Sequence, residues 1–199
     1  MVHVLEFSGH GMTPYNGAFG IAAFGVQLQS FIDDNCNSAP LVFGYSMGGY
    51  VALHLAANEP DSVHSVVTLG TKYAWNPEQA QREAQMIHLP TMLEKVPSFA
   101  ESLSAMHGPQ LSPLLEHTAE MMLALGNAPL LKSFVLEKIK CSVQVCVDDA
   151  DRMVSREESE AMASAIRGGI LHILPETKHP IDVVNPDSIE RIINAALHV

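Results

Sequence analysis

The sequence predicts an α/β fold, a mostly parallel sheet flanked by helices, and three observations predict it. Short apolar runs rich in β-branched residues alternate with helical patterns along the 199 residues. Those runs are apolar almost throughout, as strands buried on both faces must be. A serine set among glycines also stands where one run gives way to a helix, in VFGYSMGGYVALHLAA at 42–57.

The strand candidates are VHVLEF (2–7), PLVFGY (40–45), SVVTLG (65–70), CSVQVCV (141–147) and GILHILP (169–175). Between the first two, Ile21, Phe24, Leu28, Phe31 and Ile32 fall on one side of a helix over 18–34. The segment after the second strand, MGGYVALHLAANEP, is apolar nearly all round and closes before Pro60, which suits a helix buried between sheet and outer layer. Later, Ser155 with Glu158 makes a capping-box pattern and Gly168 supplies a stop. Asn185 and Pro186 open a last helix whose apolar stripe is Ile189, Ile192, Ile193 and Ala196. The order is β-α-β-α-β, an insertion, then β-α-β-α, and right-handed crossovers turn it into a layered α/β fold.

The insertion spans about 71–140 and reads as short helices, giving a core of 1–70 with 141–199 and a helical lid of 71–140. Asn76-Pro77, Ser98 with Glu101, Ser112-Pro113 and Ala128-Pro129 are its expected starts; Gly108 and Gly126 are its expected stops. Met86, Met92, Met106, Met121 and Met122 lie within it, and packing is the favoured role for them over lining an apolar pocket.

Composition narrows the function classes. Twenty-two acidic against 11 basic side chains leave a formal charge of -11, the wrong sign for nucleic acid or an anionic membrane surface, so a small-molecule partner is expected. Cys36, Cys141 and Cys146 are an odd set, and the last two point to opposite faces of a strand, so no disulfide framework is expected. The N-terminus lacks the pattern of an export signal and no apolar run approaches the ~18 residues of a membrane span, which together suggest a cytoplasmic protein.

The glycines around Ser46 have a chemical reading. A nucleophilic serine needs its hydroxyl at the carboxyl edge of the sheet, above a helix N-terminus that stabilises negative charge. A sharp strand-to-helix turn provides this, but it strains the serine backbone and brings the residues two before and two after it together. Gly44 and Gly48 stand at those positions, and Gly49 lets the helix approach the neighbouring strand. A Walker-type Gly-Lys-Ser or Gly-Lys-Thr, which a phosphate loop would need, is missing.

Serine needs a base to take its proton and a third group to hold the base. Of ten histidines, His179 stands directly after the last strand, at the edge where Ser46 should emerge, and Pro180 keeps it out of helical geometry. The acidic loop VDDADRMV follows the preceding strand; Asp151 is the favoured acid and Asp149 the alternative. Three clustered aspartates without a further ligand pattern do not make a calcium loop, so no metal is expected.

Through GYSMGG (44–49), DDADRMV (148–154) and TKHP (177–180), the chain resembles the α/β-hydrolase superfamily over almost its whole length. FSGHGMT (7–13) is similar to that family's Asp-x-x-Gly-His-Gly-x-Ser segment, which places His10 in a structural turn. The register of the acid loop on the family's Gly-Asp-x-Asp implies Asp151 as the triad member, with Asp148 in place of glycine. Family members usually carry more chain before the nucleophile, including a His-Gly loop that donates a second oxyanion amide. Only 45 residues precede Ser46 here, so an N-terminally shortened form is the favoured explanation, with recruitment of the loop Ser8 to Met12 as second donor or a fold without efficient catalysis as the alternatives; the open strand edge at 2–7 suits a homodimer.

The resemblance implies a serine hydrolase. Ser46 attacks the carbonyl, His179 serves as general base and then acid, Asp151 orients the imidazole, and the Met47 amide stabilises the oxyanion, with no cofactor. The expected substrate is a small ester or thioester with an apolar acyl part. Carbon-carbon bond hydrolysis, or a non-catalytic small-molecule-binding protein of the same fold, are the alternatives. Serine at the elbow argues against the epoxide-hydrolase and dehalogenase branches, which need a carboxylate nucleophile.

Overall fold

A computed structural model describes residues 1–175 and 179–198. Among them, four strands form one parallel sheet: β1 (Leu41–Tyr45), β2 (Ser65–Leu69), β3 (Ser142–Asp148) and β4 (Gly169–Leu174), in that spatial order. Each parallel neighbour requires a crossover. Helix α2 (Met47–Asn58) joins β1 to β2, an all-helical insertion joins β2 to β3, and α8 (Arg156–Ala165) joins β3 to β4. Pairing of Tyr45 with Leu69, Leu69 with Cys146 and Cys146 with His172 aligns the carboxyl ends, so the residues leaving all four strands emerge along one rim.

Both sheet faces are covered, as the apolar runs require. Val67 and Leu69 pack with Cys146, Leu174, Ile189 and Ala196, so α9 (Pro186–Ala196) lies on one face. Val66 and Thr68 point to the other face, where Gly49 of α2 comes so close that its added Cβ would stand 3.2 Å from Thr68 Cβ. Val66, Val67 and Leu69 have no exposed surface, and burial of such side chains contributes about 1.5–3 kcal/mol each. The sequence and structure agree on these four strands to within a residue or two, and on α1 (Ile21–Asn35), α2, α8 and α9.

The segment 2–7 is not a strand. Val2 and Val4 are 92 % and 83 % exposed, with no ladder partner. β-branched composition favours an extended chain, but a strand exists only when a neighbour takes its backbone hydrogen bonds. The open edge on which a homodimer was expected is therefore not formed there.

Two compact units divide the described chain, residues 1–27 with 75–129 and residues 28–74 with 130–199. Residues 1–27 thus group differently from the expected core of 1–70 with 141–199. Local bonds within the first unit account for this: the Ser8 amide donates to Gln27 Oε1, Phe7 stacks on Phe24, and the Gly11 amide donates 2.9 Å to His107 Nδ1. His10 sits in a hydrogen-bonded turn, its amide donating to Phe7 O and its carbonyl accepting from Thr13.

The inserted helices are α3 (Pro77–Met86), α4 (Leu89–Lys95), α5 (Pro97–His107), α6 (Leu111–Asn127) and the short α7 (Ser133–Leu136). Asn76 caps α3 by accepting from the Gln79 amide, and Gly108 ends α5 at φ 53°. Other expected boundaries move. Ser98 and Ser112 lie inside first turns, and Ala128-Pro129 ends a helix instead of starting one. Gly126 stays inside α6, because a Cβ there would run into Ala80 Cβ; the glycine serves close packing of α3 on α6. Of the methionines in this insertion, Met92 is buried, whereas Met86 and Met106 are exposed.

Ser155 caps α8 by accepting from the Glu158 amide, but Glu158 does not return the bond as a capping box would. Its Oε1 accepts instead from the Tyr73 and Ala74 amides, 2.6 Å each, which fastens the chain leaving β2 to α8.

Candidate active site

Ser46 follows β1 directly and caps α2, and its backbone is the strained point of the fold. With φ 50° and ψ -113°, it is alone among the described non-glycine residues in having positive φ. Such a conformation costs of order 1–3 kcal/mol and persists only where neighbours over-determine it. Here the Ser46 amide donates to Leu69 O at 2.8 Å, while its carbonyl accepts from the Gly49 and Tyr50 amides and from Thr71 Oγ1 at 3.0 Å. The turn is fixed from β2 on one side and α2 on the other.

The steric argument for the glycines holds at Gly44 and shifts from Gly48 to Gly49. A Cβ on Gly44 would meet the Gly49 amide nitrogen and the Gly48 carbonyl carbon and oxygen, the last two at 2.5 and 2.6 Å. One on Gly49 would meet Thr71 Oγ1 and, at 2.9 Å, Gly44 O. One on Gly48 would meet nothing within 4 Å. The elbow closes through the third residue after serine because α2 is already helical there and turns Gly49, not Gly48, back onto the strand.

His179 meets the side chain of Tyr45, the residue before Ser46. Its Nδ1 is 2.7 Å from Asp151 Oδ2, and the Asp151 side chain is fully buried. A carboxylate only accepts, so Nδ1 carries the proton in this contact and the neutral ring keeps its Nε2 lone pair. Asp151 Oδ1 accepts from the Met153 and Val154 amides at 2.7 and 3.0 Å. Burial alone would raise the Asp151 pKa, but the His179 bond, the two amide bonds and the nearby imidazole outweigh it and hold the carboxyl below its ordinary value. Asp149 is exposed, and the carboxylate that meets the imidazole is that of Asp151. Asp148 is buried at the end of β3. Of the TKHP segment, Thr177 and Lys178 lie outside the described residues.

Three further residues, two beside the imidazole and one on the Ser46 turn, escaped the sequence reading. Gly70, at φ +57° just past β2, approaches so closely that a Cβ would stand 3.2 Å from both Cε1 and Nδ1 of His179 and 3.5 Å from Asp151 Oδ2. Thr71 holds the Ser46 carbonyl. Tyr45 sends its hydroxyl to His179 O at 3.0 Å and places its ring 5.4 Å from the imidazole, centroid to centroid. A glycine ending a strand was the available signal for Gly70; nothing local marks the other two.

Asp151 and His179 meet beside Gly70 at the end of β2, and Ser46 follows β1 at the same carboxyl rim. At the start of α2 the Met47 and Gly48 amides precede the first intrahelical bonds and stand next to Ser46, where the helix dipole favours negative charge. Among the described residues no cluster of three or more His, Cys, Asp or Glu is arranged to hold a metal ion, and no helix is long and apolar enough to cross a membrane. Two surface depressions, one bordered by Arg82, Met86 and Lys95 and one by Ile32, Cys36 and Asp61, contain none of the three residues.

A family model for the alpha/beta hydrolase fold matches residues 2–137, a span that includes Ser46 and stops short of Asp151 and His179. Lipase LipV of Mycobacterium tuberculosis is 30 % identical over 124 residues, which cover 61 % of this chain and 48 % of that protein. The pimeloyl-(acyl-carrier protein) methyl ester esterase of Neisseria meningitidis serogroup B is 38 % identical over 65 residues, 33 % of this chain and 24 % of the esterase. The chain therefore spans about half or less of these curated relatives. Among solved structures, a thermophilic esterase from Thermogutta terrifontis superposes with TM-score 0.72 at 22 % identity, over 96 % of this chain and 76 % of that one. The 2-hydroxy-6-oxo-6-phenylhexa-2,4-dienoate hydrolase of Rhodococcus sp. strain RHA1 superposes with TM-score 0.75 at 18 % identity, over 96 % and 77 %. At such identities the likeness is one of fold.

Proposed function

Because the chain belongs to the α/β-hydrolase family, we propose that it is a serine hydrolase that cleaves a small ester or thioester through an acyl-enzyme. The observation that carries the reading is the 2.7 Å His179–Asp151 pair standing at the rim where the strained Ser46 leaves β1. The two curated relatives, named as a lipase and a methyl ester esterase, support an ester over a carbon-carbon bond as the target.

In this reading His179 Nε2 takes the Ser46 proton as Oγ attacks the carbonyl carbon, and Asp151 steadies the imidazolium that forms. The oxyanion is met by the Met47 amide at the α2 N-terminus. The imidazolium then protonates the departing alcohol or thiol, and water, deprotonated by the same nitrogen, releases the acid and restores Ser46. One amide of an oxyanion hole is worth on the order of 3 kcal/mol, so a site relying on Met47 alone would turn over slowly.

A fluorophosphonate probe tests this without knowledge of the substrate. The expected result is stoichiometric labelling of Ser46, lost in Ser46→Ala and slowed at least ~10³-fold in His179→Ala. Folded wild-type protein that stays unlabelled would instead make this a binding protein of hydrolase fold.

A further inference from the structure

Tyr45 occupies the variable position of Gly44-Tyr45-Ser46-Met47-Gly48, and nothing in the proposed chemistry uses it. Its side chain nevertheless reaches the base. The phenol donates to the His179 carbonyl oxygen at 3.0 Å, and its ring lies tilted at 43° against the imidazole, 5.4 Å between centroids. The phenol oxygen also meets the Ile181 backbone amide, so the hydroxyl brackets Pro180.

The bracketing has a reason in the chain. Pro180 has no amide hydrogen to anchor the residue after His179. The hydrogen bonds of the following turn, from Val183 to Pro180 O and from Val184 to Ile181 O, begin beyond it. A carbonyl at position 179 left to water would leave the imidazole on a less firmly tethered backbone. Tyr45 limits that freedom from the end of β1, directly before Ser46, so base and nucleophile share one support.

We infer that Tyr45 is a positioning residue, a clamp that ties the His179 backbone to the nucleophile strand and thereby fixes the distance between imidazole and Ser46; this rests on the serine-hydrolase reading above. The ring has a separate duty, packing beside the core cluster of Val67, Leu69 and Leu174, so removal of the hydroxyl alone isolates the clamp. Burial, with Asp151, Asp148 and Asp182 nearby, pushes the phenol up to about 12, so the hydroxyl keeps its proton and remains a donor throughout the neutral range.

Tyr45→Phe is the test, read with a p-nitrophenyl ester, with fluorophosphonate labelling and with a denaturation curve on the same sample. The expected result is kcat lower by about tenfold, KM within about twofold, and labelling slowed by the same factor as kcat, because misplacement of reacting groups by an ångström costs about 10²-fold. Undiminished kcat and labelling overturn the inference, as does a change confined to KM or a slowdown matched by the unfolded fraction. The low-field proton resonance of the His179–Asp151 bond gives a second readout: it should broaden in Tyr45→Phe, and an unaltered signal contradicts the clamp. Failure of the wild type to label would instead sink the underlying hydrolase reading.

Discussion

Gly70→Ala places one methyl at the tightest point around the proposed base. The new carbon would stand 3.2 Å from Cε1 and Nδ1 of His179 and 3.5 Å from Asp151 Oδ2, against the ~3.5–4.0 Å of comfortable contact. The ring must yield by a few tenths of an ångström. Its Nδ1 is held to Asp151 at 2.7 Å, so the movement passes to the Nε2 edge, which takes the proton in the proposed reaction. If an ångström costs about 10²-fold, about a third of that displacement costs roughly fivefold in kcat. Alanine at φ +57° also loses about 1–2 kcal/mol of stability, which for a chain of this length lowers Tm by roughly 2–8 °C. Steady-state kinetics on a p-nitrophenyl ester, beside a thermal melt, separate the two effects. A lowered Tm with undiminished kcat would refute the reasoning, since the methyl would then fit without moving the imidazole.

Asp151→Asn should leave KM nearly unchanged and lower kcat by about 10³–10⁴, because an amide nitrogen facing Nδ1 favours the tautomer whose Nε2 is already protonated; ester kinetics check this. The depressed Asp151 pKa also bears on stability: the folded value lies below the unfolded one, so its contribution is complete above the unfolded value of ~3.9 and is lost as pH falls through the folded value. Urea midpoints measured downward from pH ~5 should therefore drop more steeply for the wild type than for Asp151→Asn, and parallel curves would contradict the assignment. At the elbow, Gly44→Ala drives a carbon into the backbone of Gly48 and Gly49 and should cost about 3 kcal/mol or more, whereas Gly48→Ala, with open space and a helical backbone, should gain roughly 0.5–1 kcal/mol, both read from urea denaturation.

How far the sequence reached depends on whether a feature is local. Strand-to-helix alternation, the Asn76, Ser155 and Asn185 caps and the sharp turn at Ser46 are written in neighbouring residues, and the structure follows them. The meeting of His179 with Asp151 is legible because parallel topology sends the ends of β3 and β4 to one rim of the sheet. Residues 2–7 misled because a strand depends on a partner supplied from elsewhere in the chain. Gly126 reads as a stop in one dimension and as a helix contact in three, since Ala80 lies 46 positions away. The Tyr45 hydroxyl meets its acceptor 134 positions along the chain, and nothing in GYSMGG announces it.

The central claim is that Ser46 becomes covalently acylated during turnover, and rapid quenching of the reaction with a p-nitrophenyl ester tests it most directly. The expected result is a burst of p-nitrophenol approaching about one equivalent per chain, with the matching acyl mass on the peptide that contains Ser46. Turnover by purified wild-type protein with no adduct on that peptide, or with the adduct on another residue, would contradict the account.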